Sequence, residues 1–163
     1  MTPTPNTAGP LENLFTAILL TWLVAGTADA IGAIVSYLAQ GGKKPEIIFK
    51  YIASGVFGGK AYTSGPVMIL WGVLFHFLIT LGLTLFFYWI YPQVKWIRDN
   101  IIPAAFLYGI FAWLVTTRVI VPLSKIKQGP FVLTKALIAI GILVVCIGLP
   151  IALMTRKHYL YKK

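Results

Sequence analysis

The sequence predicts an all-α membrane protein, a bundle of four transmembrane helices with a short interfacial amphipathic helix between the first and the second. Three observations carry this reading. The 163 residues are 58% hydrophobic and 11% charged, with a mean hydropathy of +0.84, whereas soluble domains carry about a quarter charged residues. Four runs, 13–38, 66–91, 101–121 and 131–154, each supply the ~20 apolar residues that a ~30 Å hydrocarbon core requires. None of them alternates polar with apolar positions, as a strand of a membrane barrel does. Backbone amides in hydrocarbon must be satisfied within their own segment, so each run is a helix. The length suits a single transmembrane domain, 1–163, with short polar tails.

The elements follow in order. In the first run, Ala28-Asp29-Ala30 mimics a signal-peptidase site. Residues 1–13 contain no Lys or Arg, however, and the apolar run continues through Ile31-Gly32-Ala33-Ile34-Val35, so it reads as a retained span. Gly41-Gly42 and Lys43-Lys44-Pro45 end it. In 45–64, Ile47, Ile48, Tyr51, Ile52, Val56 and Phe57 recur at roughly helical spacing, opposed by Glu46, Lys50 and Ser54. The segment is too polar and too short to span, which makes it an interfacial helix lying on the bundle. There Gly55, Gly58 and Gly59 allow a close approach or a turn.

Pro92 ends the second run, Asn100 precedes the third, Pro122 closes it, and Gly129-Pro130 opens the fourth. Tyr88, Trp89, Tyr91 and Trp96 form an aromatic belt at one membrane surface. Only residues 92–100 join the second and third helices, which predicts a tight antiparallel hairpin.

The formal net charge is +10, yet its distribution argues against nucleic acid. The cations lie almost entirely between the apolar runs and at the C-terminus, as flanks at anionic headgroups do, and no motif gathers them with interleaved aromatics. Four spans put Lys95, Arg98, Arg156, Lys157, Lys162 and Lys163 on one side. Lys43, Lys44, Lys50, Lys60, Lys125, Lys127 and Lys135 lie on the other, and six against seven sets no orientation. Cys146, the one cysteine, sits inside an apolar run and reads as a buried structural thiol.

The candidate site is the polar centre. A carboxylate at mid-membrane costs roughly 2.5–3.5 kcal/mol on insertion scales, so Asp29 is expected to face inward and to be paired. At about 1.5 Å per residue, Asp29 lies roughly 14 Å before Leu38 and His76 roughly 15 Å after Pro66, which places them at one level. Thr21, Ala25, Asp29, Gly32 and Ser36 make a small and polar stripe that directs Asp29 toward neighbouring helices. Arg118 lies near the same surface as this pair, with a side chain long enough to reach inward or to snorkel outward.

Two readings follow for Asp29 and His76. In the first, His76, a Tyr or a Ser donates to Asp29 and fixes helix register. In the second, the two form a proton or ion relay. A metal centre wants three or four ligands, and the chain offers two histidines, one of them (His158) in the tail, and one cysteine. No HExxH, Ser/His/Asp order or phosphate-binding Gly-Lys motif is present, so neither catalysis nor a cofactor is expected.

Short motifs recur in a recognisable order: Gly26-Thr27-Ala28-Asp29, Ile52-Ala53-Ser54-Gly55-Val56-Phe57-Gly58, His76-Phe77-Leu78, Tyr108-Gly109, Val121-Pro122-Leu123-Ser124 and Gly148-Leu149-Pro150-Ile151-Ala152. Over nearly the whole chain this resembles a widespread family of small, uncharacterised four-helix bacterial inner-membrane proteins. It is more distantly similar to the YagU-like inner-membrane proteins through the His-containing second helix. The resemblance implies a bacterial inner-membrane location and marks Asp29, Ser54, His76 and the Pro122-Leu123-Ser124 turn. The family pattern includes a second histidine in the last helix. Here 138–147 has none, which weakens a two-histidine metal or proton site. The expectation is a non-enzymatic structural or accessory membrane component in the lipid bilayer, as a homo-oligomer or within a larger membrane complex. The alternative is a small proton or solute conductor using Asp29 and His76, with Arg118, Ser54 and Ser124 as associated polar groups.

Overall fold

A computed structural model describes residues 13–126 and 129–161. The N-terminal tail, Lys127, Lys162 and Lys163 lie outside the described residues. Four helices are long and apolar enough to cross a membrane: α1 (Leu14–Ala39), α4 (Val67–Ile90), α6 (Ile101–Leu123) and α7 (Leu133–Leu160). Three short helices lie between them: α2 (Glu46–Phe57), α3 (Lys60–Thr63) and α5 (Lys95–Asp99). The protein is an all-α bundle of four spanning helices, and no strand occurs among the described residues.

Around the bundle, α1 packs on α4 and α7, α6 packs on α7, and α4 touches the end of α7. Between spanning helices, the closest seam joins α6 to α7. A Cβ added at Gly148 would run into the Ala105 carbonyl, and one added at Gly109 would run into the Val144 backbone. Small residues carry this contact because lipid supplies no hydrophobic drive between helices, and association depends on close packing.

The hairpin of α4 and α6 is connected by the short turn expected, but it is not tight. Large rings separate the two helices: Phe87 lies 4.7 Å from Tyr108, and Phe86 lies 5.2 Å from Phe111.

Two stretches of π-helix interrupt the spans, Thr116–Ile120 in α6 and Val144–Gly148 in α7. Each ends two residues before a proline, Pro122 and Pro150. A proline ring lacks the amide donor and collides with the carbonyl four residues earlier, and widening the preceding turn relieves both problems without breaking the helix. Pro122 therefore does not close α6 at once, and the helix runs on to Leu123.

Three further expectations are corrected. The last helix does not stop at Met154 but continues to Leu160, so that His158 is a fully buried core residue rather than part of a tail. The aromatic belt divides: Tyr88 and Tyr91 turn into the bundle, while Trp89 and Trp96 stay exposed.

The third correction concerns α2, where Ser54, read as part of the polar side, is buried together with Ala53. Ile48, Ile52 and Phe57 are half-buried, the last against Trp71 and Phe75 of α4, and the Phe49 carbonyl abuts Gly72, whereas Ile47, Tyr51 and Val56 are exposed. In lipid an exposed Ile or Val costs little, and small residues allow the close approach to the neighbour. Gly58 ends α2 at φ +61°, a backbone state that suits glycine. Gly55 comes close to Ser124, and its carbonyl accepts from the Lys125 amide at 2.8 Å.

Candidate functional site

The polar centre is built on the seam between α1 and α4. Gly26 leaves a gap in α1 that the ring of Phe77 fills, since a Cβ there would come within 2.8 Å of the ring. Through that gap the buried His76 side chain donates from Nε2 to the Gly26 carbonyl at 2.9 Å. The acceptor is a carbonyl oxygen, so the proton sits on Nε2. Phe49 and Phe77 enclose the imidazole edge-on at 6.5 and 5.4 Å. In the opposite direction, Trp22 Nε1 of α1 donates to the Phe77 carbonyl at 2.7 Å. Farther along, the Thr21 and Tyr88 hydroxyls share a hydrogen bond of 2.9 Å.

Asp29 lies three residues beyond Gly26 on α1, half-buried between α4 and α7. It interacts electrostatically with His76 on one side and with Cys146 on the other. No hydrogen bond reaches its carboxylate from the described residues, and His76 is bonded to Gly26 in place of it. The physical reason is access: a neutral carbonyl exposed beside a glycine offers the imidazole an acceptor that requires no buried charge. On the next turn Gly32 faces Ile142 and Cys146 of α7, so the small stripe of α1 serves two neighbours.

The remaining candidates lie apart from this centre. Ser54 donates to the Tyr51 carbonyl at 2.6 Å within α2. Ser124 donates to the Val121 carbonyl at 2.7 Å and accepts from the Ile126 amide at 3.1 Å, shaping the turn after α6. The two serines are brought to the same contact through Gly55 but bond separately. Arg118 is exposed and lines a cleft of about 490 Å³ with Tyr51, Phe131 and Lys135, a cleft that neither Asp29 nor His76 lines.

A second polar cluster was not foreseen. Tyr88, besides meeting Thr21, has Thr155 beside its hydroxyl, the His158 ring 6.0 Å away, and its own carbonyl accepting from the Tyr159 hydroxyl at 3.2 Å. A signal was present in the sequence. Ile151, Ala152, Thr155 and His158 fall on one helical face, and all four are fully buried. A window that rewards only apolar residues ends at Met154 and misses Thr155 and His158. Among the described residues no three His, Cys, Asp or Glu side chains gather as metal ligands.

The chain matches no protein-family model, no curated protein and no solved structure.

Proposed function

We propose that this protein is a non-enzymatic, multi-pass component of the bacterial inner membrane that acts by association, as an accessory subunit of a membrane complex or as a homo-oligomer. The location rests on the order of short motifs in the sequence. The observation that carries the role is the use made of the interior polar groups. His76, Trp22, Tyr108 and Tyr159 each donate to a backbone carbonyl of a neighbouring helix. Such bonds fix register between helices; they leave little to exchange with a substrate. At the same time, bulky apolar residues of α1, including Val24, Ile31 and Val35, remain exposed. That face suits lipid or another helix equally. Gentle solubilisation followed by native mass measurement tests the role. The expected particle is heavier than the 18.0 kDa chain with its bound detergent and lipid. A monomer with no protein partner at low detergent would count against it.

The electrostatic contact between Asp29 and His76 favours a second reading, a proton conductor. On that reading Asp29→Asn abolishes a proton flux in liposomes while insertion and assembly persist. Absence of flux through the unaltered protein removes it.

A further inference from the structure

At the membrane surface where α4 ends and α6 begins, a cavity of about 510 Å³ opens between the α4–α5 turn and the end of α7. Its walls bring together cations distant in sequence, Lys95 and Arg98 from α5 and Arg156 from α7, against a single carboxylate, Asp99. Tyr91 and Tyr159 lie beside them with ring centroids 5.2 Å apart, and Tyr91 is only 4% exposed. Arg98 is held in place by its own bond, from Nη1 to the Pro92 carbonyl at 2.7 Å. A guanidinium carries five N–H donors, so four remain for a ligand. Arg156 lies within electrostatic reach of the same Tyr91 hydroxyl as Arg98. Like charges converging on one cavity repel unless an anion lies between them.

We propose that this cavity binds the phosphate of an anionic phospholipid headgroup. Arginine forks match phosphate oxygens in pairs, and basic pockets between spanning helices are headgroup sites. The volume falls in the range of small-ligand pockets. The exposed Trp89 and Trp96 mark this end of the bundle as the interfacial level, and the exposed Leu160 at the cavity wall offers an apolar surface for the start of an acyl chain. The shared chemistry is phosphate, which a lipid diester or free inorganic phosphate supplies. The interfacial position selects the lipid.

The test is native mass spectrometry of the full chain released from nanodiscs of phosphatidylglycerol and phosphatidylcholine. The unaltered protein retains phosphatidylglycerol in preference. Each cation near an anionic surface contributes about 1 kcal/mol, so Arg98→Gln with Arg156→Gln lowers that preference about thirtyfold, at tenfold per 1.4 kcal/mol. Lys43→Gln with Lys44→Gln, at the opposite surface, leaves it unchanged. If the double arginine variant does not fold, the exposed Lys95 supplies the second measurement, with about a fivefold loss for Lys95→Gln by the same constants. Equal retention by the cavity variants overturns the proposal, as does an equal loss from the Lys43 and Lys44 variant. A separate arm adds millimolar inorganic phosphate at fixed ionic strength. Retention undiminished by phosphate supports the lipid, and displacement of phosphatidylglycerol assigns the cavity to free phosphate and overturns the lipid assignment.

Discussion

At the scale of single residues, Asp29 and His76 differ in what they contribute. His76 holds α4 to α1 through the Gly26 carbonyl, whereas no hydrogen bond from a described residue reaches the Asp29 carboxyl group. Replacing an ionisable group at an apolar level by a neutral amide relieves a cost, while removing a buried donor leaves a carbonyl short of a partner. Asp29→Asn is therefore expected to leave the melting temperature in detergent level or to raise it, and His76→Ala to lower stability by about 1–3 kcal/mol. A fall in both, of similar size, would mean that Asp29 is itself a structural contact. The Thr21–Tyr88 bond invites a cleaner measurement. A double-mutant cycle with Thr21→Val and Tyr88→Phe is expected to return a coupling of about 0.6 kcal/mol, the average for side-chain hydrogen bonds between membrane helices. A coupling indistinguishable from zero would mean the hydroxyls do not bond in the bilayer.

Between elements, glycines decide how near two helices come, and two pairs of them make a contrast. Gly72 and Gly148 face a neighbouring backbone, the Phe49 and Ala105 carbonyls, while Gly82 and Gly141 face open space. A methyl group at the first pair forces two backbones apart, and backbone does not yield as a side chain does. Gly72→Ala and Gly148→Ala are expected to cost about 1–3 kcal/mol or more in thermal or denaturant unfolding. Gly82→Ala and Gly141→Ala are expected to be neutral or to stabilise by up to about 1 kcal/mol through helix propensity. Four equal effects would show that the seams of α2 with α4 and of α6 with α7 are looser than described.

These seams also show where sequence reading loses its grip. Hydropathy located α1, α4 and α6 to within a residue or two, because a hydrocarbon slab imposes one length on every span. It misplaced Ser54 of α2, because amphipathicity sets polar residues apart from the packed side, whereas a serine bonded within its own helix packs against a neighbour as alanine does. It likewise offered no means of seeing the π-helical turns before Pro122 and Pro150, which depend on a clash between residues four apart.

Across the whole molecule, the level shared by Asp29 and His76 was legible from helical rise alone, but their hydrogen-bond partners were not, since azimuth depends on packing that a linear count omits. The same limit hid the basic cavity: Lys95, Arg98 and Arg156 read as separate loop charges until α5 and the extended end of α7 met. Four spans put the α4–α5 turn and the end of α7 on one side of the membrane and the α1–α2 and α6–α7 connections on the other. Single cysteines test this directly once Cys146→Ser removes the native thiol. Lys43, Gln93, Lys125 and Leu160 are all exposed, so each accepts a cysteine with little structural consequence. In sealed vesicles of one orientation, a membrane-impermeant maleimide is expected to label Gln93→Cys and Leu160→Cys together. Lys43→Cys and Lys125→Cys should react only after the membrane is opened, or the reverse if the insertion is inverted. The pairing, not the absolute side, is the prediction, because the cation count leaves orientation open while four spans fix which loops travel together. Labelling of Gln93→Cys together with Lys43→Cys would place both ends of α4 on one face, and neither the polar level nor the headgroup cavity would survive that result.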